Sequence, residues 1–202
     1  MAAPIDFYFD FSSPYGYFAS TKIDALAAKY GREVTWRPFL LGAAMKITGG
    51  APLPGVPLKG DYARRDFARS AKFYGVEYKL PSTFPISSQA PARAFYWVNR
   101  KDPKQAKALA AALYRAYFVD DINISNPEDT IAVCAKFGLK AEEVRAAIND
   151  PGVKDLVKAE VDKAIACGAF GSPYIVVGDE AFWGADRLEQ VEKWLASGGW
   201  KY

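Results

Sequence analysis

The sequence has 202 residues, of which 50% are hydrophobic and 24% charged, with a formal net charge of +3. This is enough chain for a sizeable core, and too weak a charge to argue for nucleic-acid binding without a concentrated basic tract, which is missing. Histidine is absent and the only cysteines, Cys134 and Cys167, lie outside CxxC spacing; a Ser-His-Asp triad, a Cys-His pair, a histidine metal centre and a disulfide scaffold are therefore excluded. Both cysteines are expected as buried free thiols. No run approaches about 18 uncharged apolar residues, and no basic leader precedes an apolar stretch, so no membrane span or export is indicated and a cytoplasmic location is expected.

Ile5-Asp6-Phe7-Tyr8-Phe9-Asp10-Phe11 is rich in strand-forming residues and runs into Ser12-Ser13-Pro14, a cap candidate followed by the residue best suited to a first helical turn. Ser12 or Ser13 thus stands at a helix entrance, where exposed N–H groups and the helix dipole favour an anion. Residues 15–30 read as one helix with Phe18, Ile23 and Leu26 on its buried stripe and Gly31 as its stop. Val34 and Trp36 alternate in a second strand over 33–37, limited by Pro38. Strand, helix, strand with a right-handed crossover makes these two strands parallel.

From Gly42 to Gly60 the chain changes character, and the Gly-Pro-rich stretch at 49–57 reads as a long irregular loop, either a pocket wall or a flexible connection. Helical spacing returns at 61–74, where Phe67, Ala71 and Tyr74 pack and Arg64, Arg65 and Arg69 occupy solvated faces. It continues at 88–99, 103–118, 126–137, 140–148 and 153–167. Strand character reappears only at 173–177, followed by a tight turn at Gly178-Asp179-Glu180, a strand at 181–183 and a last helix with Leu188, Val191, Trp194 and Leu195. The order is that of an α/β, thioredoxin-like fold with a large all-helical insertion between the second and third core strands. Residues 1–41 and 170–202 are read as the thioredoxin-like domain and 42–169 as connecting loop and insertion.

Three separated segments carry a family resemblance: Asp6-Phe7-Tyr8-Phe9-Asp10-Phe11-Ser12-Ser13-Pro14-Tyr15, Phe170-Gly171-Ser172-Pro173-Tyr174 and Gly178-Asp179-Glu180-Ala181-Phe182-Trp183-Gly184-Ala185-Asp186-Arg187-Leu188. Together they resemble 2-hydroxychromene-2-carboxylate isomerases, in a superfamily shared with kappa-class glutathione transferases and DsbA-type oxidoreductases. The resemblance implies glutathione as cofactor, an aromatic carboxylate as substrate and a homodimer. It implies that Ser13 is the catalytic residue, its hydroxyl holding the glutathione sulfur where a thiol oxidoreductase has its cysteine. It also implies that Pro173 is a cis-proline, that Ser172 offers its backbone to a peptide-like ligand, and that glutathione further meets Lys59, Ala185 and Asp186.

Beside the roles the resemblance implies, the residues leave plainer alternatives open. Asp186 either recognises the glutamyl end of glutathione or caps the last helix, and Lys59 either neutralises a carboxylate or is simply solvated. Arg93 is a weaker candidate for the substrate. Where the family carries an asparagine in the irregular loop, this chain has Gly50-Ala51. The implied activity is interconversion of a cyclic chromene carboxylate and a trans-aryl pyruvate. A kappa-like transferase and a non-catalytic glutathione- or peptide-binding module are the rivals.

Overall fold

The computed structural model describes residues 5–200; the ends 1–4 and 201–202 of the expected thioredoxin-like segments lie outside the described residues. Four strands form one sheet in the order β2-β1-β3-β4. β1 (Ile5–Phe9) pairs parallel with β2 (Val34–Pro38) and antiparallel with β3 (Tyr174–Val177), which pairs antiparallel with β4 (Glu180–Trp183). The two-residue connection Gly178-Asp179, with Gly178 at φ +65, turns β3 into β4, as a short hairpin requires of a residue with positive φ. Central β1 has neighbours on both edges, and this fits its aromatic composition. Its odd residues Phe7 and Phe9 meet Trp36, Phe95 and Tyr114. On the even side, Asp6 pairs with Arg37 at 2.7 Å, and Arg37 reaches the buried Glu160 at 3.3 Å.

Between β1 and β2 the expected single helix is two: α1 (Pro14–Ser20) and α2 (Ile23–Ala28). The break follows from Ser20 and Thr21, whose hydroxyls donate to the carbonyls of Tyr17 and Phe18 at 2.7 and 2.8 Å and bend the chain away from continued helix. A second correction concerns the stretch from Gly42, of which the first part is α3 (Leu41–Thr48). Its start is held by the Asp10 carboxylate, which accepts the Leu41 amide at 2.7 Å. The Gly-Pro-rich remainder is irregular as expected, apart from one 3-10 turn at Leu53–Gly55.

The insertion contains α4 (Lys59–Tyr74), α5 (Gln89–Asn99), α6 (Pro103–Phe118), α7 (Pro127–Lys136), α8 (Ala141–Asn149) and α9 (Pro151–Ala166). Prolines at the first helical turn and side-chain caps from Asp102, Asn126 and Asp150 explain where α6, α7 and α9 begin. α9 therefore opens two residues before the expected Val153. The last helix is α10 (Leu188–Ser197), entered through a 3-10 turn at Ala185–Arg187. A single apolar cluster runs from β1 through α5 and α6 to α10, so the insertion shares its core with the sheet. Cys134 is buried, and burial pushes its thiol up to about 12. Cys167 is exposed, contrary to expectation, because α9 ends at this residue and Gly168, at φ +87, turns the chain outward. Among the described residues no helix is long and apolar enough to cross a membrane.

Candidate active site at the Ser13 helix entrance

The sheet order brings the carboxyl end of β1 beside the amino end of β3. Ser13 is the N-cap of α1, its Oγ accepting the Gly16 amide at 3.1 Å. The same hydroxyl donates to the backbone carbonyl of Ser172 at 2.9 Å. Ser172 returns the link, its own Oγ accepting the Asp10 amide at 2.9 Å. The Ser172-Pro173 peptide bond is cis. Ser13 and Ser172 are both largely buried, so their hydroxyls are matched to defined partners, as buried polar groups require. Between the two candidate caps the structure chooses Ser13; Ser12 uses its Oγ to accept the Ile86 amide at 3.0 Å.

Asp10, Ser88, Tyr114 and Gly16, none of them among the expected site residues, build this junction. Asp10, itself buried, accepts the Ser12 amide on Oδ1 and the Leu41 amide on Oδ2, both at 2.7 Å, and the Ser88 hydroxyl as well. Burial nevertheless dominates and holds its carboxyl above the usual carboxylate range. Tyr114 of α6 donates to the Asp10 carbonyl at 3.0 Å from a fully buried ring between Phe9 and Tyr17. Gly16 leaves room for both braces: a Cβ there would stand 2.8 Å from Ser172 Oγ and 2.8 Å from the Tyr114 hydroxyl. A clue in the sequence was available for Tyr114, since a tyrosine on the buried stripe of a helix needs a hydrogen-bond partner.

The remaining candidates surround this junction unevenly. Ala185 is buried in the turn following β4, and Gly184 donates to the Pro173 carbonyl at 3.0 Å, tying that turn to the cis-proline. Asp186 does not cap α10, whose N-cap position is Arg187 without a side-chain cap bond. Its carboxylate is exposed, paired with Arg187 at 3.2 Å, and close enough to Tyr74 to help raise that phenol, which burial raises most. Lys59 opens α4 on the exposed lip, with no ion pair among the described residues. It follows Leu58, which is 95% exposed and sits at φ +65 in a tight turn closed by Lys59 N donating to Pro57 O. Arg93 is committed elsewhere: its guanidinium donates to the Ile148 carbonyl at 3.4 Å and to Gln89 at 3.1 Å, inside the insertion.

A further adjustment concerns electrostatics. α1 has only seven residues, so the long dipole expected from a helix over 15–30 is not available, and the hydroxyl of Ser13 is the group on which an anion at this point would depend. Clefts open on two parts of the described surface. One, of about 450 Å³, lies on the insertion among Trp97, Arg100, Glu143 and Asp150; the other, of about 190 Å³, lies between α3 and the segment leading to Ser172. The lining of the smaller one ends at Phe170, two residues before Ser172. Among the described residues no group of three or more His, Cys, Asp or Glu side chains is placed to hold a metal ion.

Fold and site together define a thioredoxin-like protein with a serine, not a cysteine, at the helix entrance facing a cis-proline. A family model for the DSBA-like thioredoxin domain matches residues 4–196. A 2-hydroxychromene-2-carboxylate isomerase of Sphingobium xenophagum is 30% identical over 198 residues, covering 96% of this chain and 99% of the relative. Glutathione s-transferase kappa 2 of Caenorhabditis elegans is 25% identical over 205 residues, covering 95% and 91% of the two chains. The crystal structure of a 2-hydroxychromene-2-carboxylate isomerase superposes with a TM-score of 0.85 at 28% identity, covering 97% of this chain and 95% of that one. The chain belongs to the 2-hydroxychromene-2-carboxylate isomerase family of DsbA-like thioredoxin proteins.

Proposed function

We propose that the protein is a glutathione-dependent isomerase interconverting a 2-hydroxychromene-2-carboxylate and the corresponding trans-aryl pyruvate. The observation that carries this reading is the Ser13 hydroxyl held at 2.9 Å from the Ser172 carbonyl beside a cis-proline, with no cysteine at the helix entrance. The donor set suits glutathione chemically: a hydroxyl for sulfur, an exposed ammonium at Lys59 for a carboxylate, an exposed carboxylate at Asp186 for an ammonium, and the backbone of Ser172 beside Pro173 and Ala185. When bound, glutathione would supply the nucleophilic thiolate that the chain's own residues do not offer at this position.

The protein's part is to bind, orient and lower the cost of that charge. Ser13 exchanges acceptors, turning its O–H from the Ser172 carbonyl to the sulfur, while its lone pairs keep the Gly16 amide. A hydrogen bond to an ionised partner is stronger than the neutral one it replaces, so the exchange favours thiolate over thiol. Lys59 and Asp186 set the ends of the tripeptide, and Asp10 with Tyr114 keeps the Ser13 turn in place. With no histidine in the chain and, among the described residues, no side-chain base bonded to its hydroxyl, Ser13 is a holder and not a nucleophile.

A kappa-like glutathione transferase is the second reading, favoured by the 25% identity to a kappa enzyme across nearly the whole chain. Incubating the protein with 2-hydroxychromene-2-carboxylate, with and without reduced glutathione, separates the two. The isomerase reading expects free trans-aryl pyruvate and full dependence on glutathione. Turnover with glutathione rigorously removed would overturn it, and a stable sulfur conjugate would hand the site to the transferase.

A further inference from the structure

The positive charge of the chain is concentrated on one helix. α4 holds Lys59, Arg64, Arg65, Arg69 and Lys72 against Asp61 and Asp66, an excess as large as the formal +3 of the complete sequence, so the charges elsewhere balance. Its inner face is a stripe of buried residues, Gly60, Ala63, Phe67 and Ala71. At about 100° per residue the opposite direction falls on Tyr62, Arg65, Arg69, Lys72 and Phe73, and all five are exposed. Asp66 turns inward from this stripe: it accepts the Tyr15 hydroxyl, and its side chain is 17% exposed. Asp61 stands at the edge of the stripe, paired with Arg64 at 3.5 Å.

The stripe is apolar at both ends. Phe73 is 81% exposed, and Leu58, at the position preceding the first turn, is 95% exposed. Fifteen residues of helical rise set them about 22 Å apart. Between them Arg69 is held by Asp66 and lies over the Tyr62 ring at 5.5 Å, while Arg65 and Lys72 have no ion pair among the described residues. A partner for this face must be anionic along its length and must take up two large side chains that form no hydrogen bonds. A second copy of the chain fails the first condition, because like faces set cation against cation. A nucleic acid meets the first through its phosphates but leaves Leu58 and Phe73 in water. A bilayer surface with anionic headgroups meets both: the headgroups face the cations and the acyl boundary receives the apolar ends.

We propose that the outward face of α4 docks the protein peripherally on anionic lipid bilayers, with Arg65 and Lys72 at the headgroups and Leu58, Tyr62 and Phe73 entering the interface. The docked helix is the one that opens at Lys59, so the lip of the candidate site stands near the bilayer, where an aromatic substrate accumulates. That consequence rests on the isomerase reading; the docking itself does not.

The test is cosedimentation of the full chain, without glutathione, with vesicles of phosphatidylcholine alone or carrying about 30% phosphatidylglycerol, at about 0.02 and 0.5 M salt. Partitioning onto the anionic vesicles is expected to be about tenfold stronger than onto the neutral ones at low salt, and to fall away at high salt. The double variant Arg65→Gln, Lys72→Gln should weaken it roughly twenty-fivefold, about fivefold for each cation. Phe73→Ser, which leaves the charge unchanged, should weaken it about fivefold through lost apolar burial. All three positions are exposed, so the variants should unfold at the parent's midpoint. Equal partitioning onto both kinds of vesicle, none at low salt, or an unchanged partition in the double variant would overturn the proposal. Full partitioning of Phe73→Ser would overturn it too, reducing the face to a cationic patch that a nucleic acid would occupy as well. A dimer in light scattering that Phe73→Ser dissociates would give the face to a second copy instead.

Discussion

The hydroxyl of Ser13 and the backbone carbonyl of Ser172, 159 residues apart in sequence, are joined by a 2.9 Å hydrogen bond, and the same oxygen caps α1 through Gly16. One atom therefore fixes the helix entrance to the cis-proline loop. Ser13→Ala removes both bonds. Loss of the cap costs about 1 kcal/mol, a fall in Tm of roughly 2–4 °C for a chain of this size. If the hydroxyl holds the glutathione sulfur, the loss at the site is greater, about 1.5–3 kcal/mol for a hydrogen bond to a charged group, or roughly ten- to a hundredfold in rate. Ultraviolet titration of bound glutathione in both proteins reads the effect directly: the thiol should titrate lower in the parent than in Ser13→Ala. Equal titration would remove Ser13 from the chemistry while leaving its cap role intact.

Gly16 tests the packing behind that bond. Alanine is normally the better helix residue by about 1 kcal/mol, yet its Cβ would sit 2.8 Å from both Ser172 Oγ and the Tyr114 hydroxyl. Neither can retreat cheaply, because each is bonded to the Asp10 backbone, at 2.9 and 3.0 Å. Overpacking of this kind costs about 1–3 kcal/mol, so Gly16→Ala is expected to destabilise despite its helix propensity. Tyr114→Phe removes one of the two obstructions, and the double variant should be less destabilised than the sum of the singles by at least about 0.5 kcal/mol. Urea unfolding of the four proteins gives the coupling; a stabilised Gly16→Ala would mean that the braces are not rigid.

Asp10 makes a pH prediction. Burial raises its folded-state pKa, and the Leu41, Ser12 and Ser88 hydrogen bonds oppose this without cancelling it. The folded state then binds more protons than the unfolded one, so the contribution of Asp10 to stability is full at and below the ordinary carboxylate value of about 3.9 and declines as pH rises through the folded value. Asp66 acts in the opposite sense: burial raises it, but the bonds from Tyr15 and Arg69 prevail and its pKa is lowered. The difference between parent and Asp10→Asn isolates Asp10 from such groups. The amide substitution also turns an N–H donor toward one of two backbone donors, a penalty of about 1–3 kcal/mol. Asp10→Asn should therefore be less stable than the parent near pH 4, with the gap narrowing toward pH 7, as read from urea midpoints across about pH 4–7.

How much of this was legible beforehand divides along local and distant causes. A serine cap before Pro14, a tight turn opening at Gly178, the boundaries of α6 and the parallel pairing of β1 with β2 all follow from neighbouring residues, and the sequence carries them openly, although Glu180, expected in that turn, belongs to β4. α3 was hidden because its start is capped by Asp10, 31 residues earlier, while Gly42 and the prolines beyond argue for a loop. The exposure of Cys167 depends on a single glycine turn after α9. Gly16 and Tyr114 are not among the residues singled out from the sequence. Their roles arise only where α1, α6 and the cis-proline loop converge, a juxtaposition no periodicity encodes.

The two exposed candidates should act on affinity more than on turnover. Asp186 has a 70% exposed side chain, paired with Arg187, itself 44% exposed, and Lys59 has no ion partner among the described residues. Because both are open to water, neither contributes much to stability, and Asp186→Asn or Lys59→Ala should leave the unfolding midpoint within about 0.5 kcal/mol of the parent. As contacts to opposite ends of glutathione, each would be worth about 1 kcal/mol, roughly fivefold in dissociation constant. Such contacts are made equally before and during reaction, so the KM for glutathione should rise while kcat stays near the parent value. Screening supplies the internal control: the difference between parent and variant should shrink as ionic strength rises from about 0.01 to 1 M. Calorimetric titration at two salt concentrations decides it, and an affinity unchanged in both variants at low salt would move the tripeptide's charged ends to other residues.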